Sequence, residues 1–592
     1  MRFIAAWALA GTVVAAQAPA GPSPYRTLND RFAPPQVSSL EAWKPRASYL
    51  REHVLASAGL LPMPKKIALD AQIFDEIKKP DYTVSKVYFQ SLIGFFVTGN
   101  LYRPLGAGPF PAVLSPHGHW AYGRLENTPL NSGPGRAINL ARQGFVVFTY
   151  DMVGYNDSQQ VPHTFGGPNE YLWGLSLSGL QLWNSIRSID FLESLPYVRR
   201  DAIGMTGESG GGTQTFLTSA VDDRIAVSVP VNMISLHMQG GCLCENPPGL
   251  RLDTTNVEIA ATIAPRPLLM ISATGDWTNE TLEKEYPAVR AIYNLFDASD
   301  RVQAVRITAE HNYNKESREA MYSWMARWLQ NKPADVKVAE RSFTPEPIPN
   351  LLVFHGRELP SAVGAQQLRS NWIAVAREQL ASGSSGVFHR ALKHSLGFAS
   401  ESPGPSGPAF EPAPVYPATK SVLLAAANPD LERALARAGL KVSPIAFTSL
   451  DAEAAAKVRH FETYNRTPAS QRVADIVAAV RAQPGAALVA EGDAALAAIL
   501  AAAIVPIHIA ILDVEQFNNA SDDAVLEHLY IPGLRRAGDL HTAAGLARPG
   551  LIVHNAGTAF RVRHLDPVPR PAKMTTAEIV ATLTKRPAAK TR

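Results

Sequence analysis

At 592 residues the chain is too long for one compact core, so at least two domains are expected. With 46% hydrophobic and 18% charged residues it has an ordinary globular balance, which excludes a fibrous or wholly disordered chain. A net charge of +4 with no basic stripe argues against a nucleic-acid partner.

Residues 1–16 read as an export signal. Arg2 supplies the positive start, and Phe3 to Ala16 is an apolar run too short to span a bilayer. Small residues close it, predicting cleavage after Ala16 and a secreted or periplasmic protein. No later run is long and apolar enough for a membrane span, and the start has no cysteine for a lipid, so no membrane anchor is expected. Residues 17–80 form a lead-in, with helical spacing of Trp43, Tyr49, Leu50 and Val54 over 39–60. Residues 82–89 and 95–103 alternate as an antiparallel strand pair. The apolar runs 111–115 and 145–150 then end in His117-Gly118-His119 and Asp151.

Beyond this point helices over 177–195, 210–220, 286–296 and 318–329 alternate with strands over 202–206, 225–231, 267–273 and 302–308. Strands joined by helical crossovers imply a mostly parallel sheet covered on both faces, giving a catalytic α/β unit over 81–331. The long connection 232–265 within it predicts a functional loop. Pro333, Pro345, Pro347 and Pro349 predict a linker over 332–350, the Pro/Gly/Ser-rich stretch 402–417 a surface loop, and 576–592 a frayed tail.

Residues 351–575 repeat landmarks of the first half. Pro248-Gly249-Leu250-Arg251 followed by Arg266-Pro267 matches Pro532-Gly533-Leu534-Arg535 followed by Arg548-Pro549. Tyr155-Asn156, before a helix and strand, matches Tyr464-Asn465. A second, diverged copy of the first α/β domain is therefore predicted. Aligned on these landmarks, Gly492 falls opposite Ser209 and Thr558 opposite Asp276, so the copy is expected to have no active site.

Gly207-Glu208-Ser209-Gly210-Gly211 sits between a strand and a helix. A serine on such a turn is lifted out of the sheet, and the helix N-terminus favours developing negative charge. A serine needs a base, and the base an orienting acid. Asp276 and His311 follow the next strands in the order serine, acid, histidine, with Glu245 on the long loop as the alternative acid. Gly210 supplies one oxyanion donor, and Gly118 or His119 a second. Trp120, Tyr122, Trp173 and Trp277 lie near candidate site loops, and Trp120, Trp173 and Trp277 are read as substrate-binding faces.

The only cysteines, Cys242 and Cys244, are too few for a disulfide framework and read as structural residues. His117 and His119 resemble a metal pair but lack further ligands nearby in sequence, so neither metal nor cofactor is expected.

Residues 80–330 resemble the acetyl xylan esterase and dienelactone-hydrolase-like branch of the α/β-hydrolases. The Ser209 turn, His117-Gly118-His119, Gly275-Asp276-Trp277, Glu310-His311-Asn312, and Gly240 to Asn246 with Pro248 to Arg251 carry the resemblance. It implies an α/β-hydrolase fold, here with a second, degenerate hydrolase-like α/β domain, and hydrolysis of carboxylic esters without a cofactor. The substrate would be a small-molecule or polysaccharide ester, often acetyl groups on plant polysaccharide. A prolyl-oligopeptidase-type peptidase shares the triad order but needs a large propeller, for which the 60 or so residues before the first strands leave no room. A non-catalytic carbohydrate-binding or scaffold protein is the other alternative, and the three filled triad positions argue against it.

Overall fold

Valine, isoleucine and aromatic runs set the first sheet. A computed structural model describes residues 23–358, 361–398, 419–547 and 550–584. Its first half contains β1 (Gln72–Lys78), β2 (Tyr82–Leu92), β3 (Phe95–Pro104), β4 (Phe110–Pro116), β5 (Val146–Tyr150), β6 (Val198–Glu208), β7 (Ile225–Val231), β8 (Leu268–Ala273) and β9 (Val302–Ile307). These form one sheet in the order β1-β2-β3-β5-β4-β6-β7-β8-β9. The first three strands are antiparallel, and β5, β4, β6, β7, β8 and β9 run parallel. Both faces of β5 and β8 are buried, as expected of strands with continuous apolar runs in a covered parallel sheet. Helices Gly133–Arg142 and Lys315–Leu329 pack on one face, and Leu40–Ser57, Leu177–Ser194 and Gly210–Val221 on the other. The mostly parallel α/β architecture is as expected, but the lead-in also holds β1, which pairs with β2.

Two boundaries need correcting. Residues 332–350 are not a free linker. Glu340 pairs with Arg318 at 2.6 Å, Phe343 packs on the first core, and Asn100 Nδ2 donates to the Leu351 carbonyl at 2.9 Å. Nor are residues from 576 all tail, because Thr576–Thr584 is a helix whose Ile579 and Leu583 are buried against the second sheet. The predicted signal and the loop 402–417 lie outside the described residues.

The second half forms a parallel sheet from β10 (Ser421–Ala425), β11 (Lys441–Pro444), β12 (Ala487–Glu491), β13 (Ala510–Asp513) and β14 (Leu551–His554), in the order β11-β10-β12-β13-β14. This is the order of β5-β4-β6-β7-β8 in the first sheet. The partial parallel sheet expected of a diverged copy is present.

One apolar core runs through both halves, and the seam between them is reciprocal. Gly249 and Arg251 N–H donate to the Glu462 and Thr463 carbonyls at 2.8 and 2.9 Å, while Gly533 and Arg535 N–H donate to those of Tyr171 and Leu172 at 2.7 and 3.1 Å. The Arg251 guanidinium lies 5.9 Å from the Tyr464 ring, and that of Arg535 6.0 Å from the Trp173 ring. Each aromatic stands three residues before the Ser176 or Thr467 that caps the following helix. The match of Tyr155 to Tyr464 is thereby corrected, since Trp173 is the counterpart of Tyr464. Arg548-Pro549 lies outside the described residues.

Candidate active site

Strand β6 ends at Glu208 and the next helix begins at Gly210, so Ser209 must reverse the chain alone. It does so at φ 56° and ψ −119°, a region costly for any residue with a side chain and tolerated where the surroundings over-determine it. Ser209 N–H donates to the Val231 carbonyl at 3.0 Å. The surrounding glycines are required by contact. A Cβ on Gly207 or Gly211 would lie 2.6 Å from the Pro116 carbonyl oxygen, and one on Gly210 would lie 2.6 Å from His119 Cε1.

Asp276 and His311 follow β8 and β9, at the carboxyl edge of the sheet where open parallel sheets carry their sites. His311 Nδ1 stands 2.8 Å from Asp276 Oδ2. The other carboxylate oxygen accepts from Thr278 N–H and Oγ1 at 2.7 and 2.5 Å, so the acid is held on both sides. The Trp277 ring lies against His311, with centroids 4.6 Å apart. Glu245 has a different task. Its Oε2 accepts from Gly241 and Cys242 N–H at 2.7 and 3.0 Å and caps a single helical turn. Among the described residues no hydrogen bond joins Ser209 to His311; such contacts commonly tighten only with substrate bound.

The sheet has the arrangement of the α/β-hydrolase fold. Strand order, turn, acid and histidine follow one another as that fold requires. No protein-family model matches the chain. It is 27% identical over 238 residues to "Putative hydrolase YtaP" of Bacillus subtilis (strain 168), a match spanning 38% of this chain and 80% of that one. Among solved structures, "Methylesterase BT1017" is 27% identical at a TM-score of 0.47, covering 58% of this chain and 78% of that one. A glucuronoyl esterase from Solibacter usitatus is 15% identical at a TM-score of 0.38, covering 52% and 99%.

Glu208, inside the hydrolase turn motif, is a hub that sequence reading passed over. It is fully buried, and its Oε1 accepts from Gly118 N–H at 3.0 Å, Trp120 Nε1 at 2.8 Å and Asn131 Nδ2 at 3.1 Å. Arg136 balances its charge at 3.3 Å. Gly118 is therefore corrected as an oxyanion donor, because its N–H is spent on Glu208. Gly210 opens the helix directly after Ser209, with the His119 ring packed against it.

Of the three tryptophans read as substrate faces, Trp277 lies at the site and Trp120 beside it, tethered to Glu208. Trp173 does not. It is 4% exposed in the seam between the halves, and its Nε1 donates to Asp522 at 2.8 Å.

His117 is buried, and burial pushes its pKa down to about 3. Its Nε2 accepts from Met152 N–H at 3.0 Å, which places the proton on Nδ1, 2.7 Å from the Gly118 carbonyl. Both ring nitrogens of His117 are thus engaged by the backbone. His119 instead meets His163, Cys242 and Cys244, the cysteines read from sequence as structural residues. His163 has no sequence spacing to these residues that marks it as a partner; only the fold brings it there.

Proposed function

We propose that the protein is an exported carboxylic ester hydrolase acting on acetyl or similar esters of carbohydrates. The observation that carries this is the Asp276–His311 pair at the sheet edge that also presents Ser209. Ser209 Oγ attacks the ester carbonyl while His311 Nε2 takes its proton. Asp276 holds the Nδ1 tautomer and balances the imidazolium. The oxyanion meets the N–H groups of Gly210 and His119. His311 then returns the proton to the leaving alcohol, and water hydrolyses the acyl-enzyme by the reverse path. Similarity to a Bacillus subtilis protein named as a hydrolase supports the reaction class. Aromatic faces support a sugar: Tyr122 is 56% exposed on the turn after Trp120, and Trp277 lines the other side at His311. Export, with cleavage after Ala16, is part of the same proposal and rests on residues 1–16.

The test is hydrolysis of p-nitrophenyl acetate, acetylated xylan and a glucuronate methyl ester by the wild type and Ser209→Ala. Activity on at least one ester, lost in the variant, is expected; an inactive wild type, or a variant as active as the wild type, refutes the reading.

A further inference from the structure

Three separate loops bring four potential ligands to one point. His119 lies in the turn after β4, His163 in the loop after β5, and Cys242 and Cys244 in the long loop after β7. One nitrogen or sulfur of each lies within 4.8 Å of all the others. His119 Nε2 is 3.1 Å from Cys244 Sγ.

Two further observations point to a ligand. His163 Nδ1 lies 2.6 Å from the Val153 carbonyl, an acceptor, so that nitrogen carries the proton. Its Nε2 is then an unprotonated acceptor, buried and without a hydrogen-bond partner. Leaving a buried acceptor unmet is costly, and a histidine donating one N–H to a carbonyl while baring the other nitrogen is how metal ligands are oriented. The cysteine loop is also held ready. Glu245 ties down the Gly241 and Cys242 amides, Asn246 Nδ2 donates to the Gly240 and Cys242 carbonyls at 2.9 and 2.7 Å, and Arg251 donates to Asn246 Oδ1 at 2.9 Å.

We propose that His119, His163, Cys242 and Cys244 form a tetrahedral site for a thiolate-preferring divalent ion of the zinc class. Two imidazoles and two thiolates are a donor set that Zn²⁺ takes in closed, four-coordinate sites. Zn–S and Zn–N bonds of about 2.3 and 2.0–2.1 Å place tetrahedral ligand atoms about 3.3–3.8 Å apart, so the widest pair has to close by about an ångström. Binding releases the two thiol protons to solvent. His119 is exposed at the cleft, which gives the ion a way in. With all four positions filled by protein, the ion staples the loops carrying His163 and the cysteines to the turn beside Gly210. The site stands independently of the esterase reading.

The test uses the full chain, purified reduced and metal-free, titrated with Co²⁺ and then with Zn²⁺. One equivalent of Co²⁺ should give the intense visible bands of a tetrahedral ion with thiolate-to-cobalt charge transfer, and Zn²⁺ should abolish them. The bands should be lost in Cys242→Ser/Cys244→Ser and weakened in His163→Gln, with circular dichroism verifying the fold of each. A reduced wild type that gives only the pale spectrum of octahedral cobalt overturns the proposal. So does a Cys242–Cys244 disulfide that persists under reduction, or a folded His163→Gln protein with unchanged bands and affinity.

Discussion

Gly492 holds the backbone of Ser209: its φ and ψ are 58° and −133°, against 56° and −119°. Each directly follows the corresponding strand, β12 or β6, and each N–H donates to the carbonyl of the last residue of the neighbouring strand, Asp513 or Val231. The second half thus keeps the backbone of the Ser209 turn and holds a glycine where its side chain would stand. Strand register matches Ile271 to His554, so the counterpart of Asp276 falls at Ala559, one residue past the expected Thr558 and likewise no carboxylate.

Restoring a hydroxyl there should therefore restore nothing. Ser209→Ala is expected to lower kcat by about 10⁶, and Ser209→Ala/Gly492→Ser to stay equally inactive. Esterase kinetics on the folded double variant check this; recovery of turnover would show that the second turn has a working base.

The acid is expected to be Asp276. Asp276→Asn should lower kcat by about 10⁴, because the imidazole loses its tautomer and orientation. Glu245→Gln should be mild by comparison, since that carboxylate bonds backbone amides of its own loop. Steady-state kinetics of the two variants decide, and the reverse ranking would move the acid to Glu245.

The second half should be fragile to loss of Arg535. Arg535 pairs with Asp522 at 3.0 Å and Asp539 at 2.6 Å, and donates to the Asn519 and Ser521 carbonyls. Removing one partner of a buried ion pair costs about 3–5 kcal/mol, and Arg535→Ala should lose that much. Denaturant unfolding measures it; a loss under about 1 kcal/mol would be that of a surface pair.

Stability should fall in acid, partly through His117. Its folded pKa of about 3 lies below the ordinary 6.5, so between these values the unfolded chain binds a proton that the folded chain refuses. The contribution is complete above about pH 6.5 and declines as pH drops toward 3, at up to about 1.4 kcal/mol per pH unit. Urea unfolding at several pH values should show a shallower acid slope for His117→Asn than for the wild type. Equal slopes would mean that His117 is not held neutral.

Much of the first sheet was legible because its strands are continuous apolar runs such as Leu268–Ala273, and the places of Ser209, Asp276 and His311 because each follows a strand. Other features were written in contacts between distant segments. Trp173 reads as a cleft aromatic until Arg535, from the other half, is seen against it. Gly118 reads as an oxyanion donor until Glu208 is found accepting its N–H. His163 carries no motif at all and acquires meaning only beside His119 and the two cysteines. Residues 332–350 are rich in proline, yet their extended chain is strapped to the first core by Glu340 and Phe343.

The central claim is that Ser209 is the nucleophile. Labelling the protein with a fluorophosphonate, followed by peptide mass spectrometry and assay of p-nitrophenyl acetate hydrolysis, tests it most directly. One adduct is expected, on Ser209, accumulating as activity disappears. An adduct on another residue, or complete labelling of Ser209 with activity retained, would contradict it.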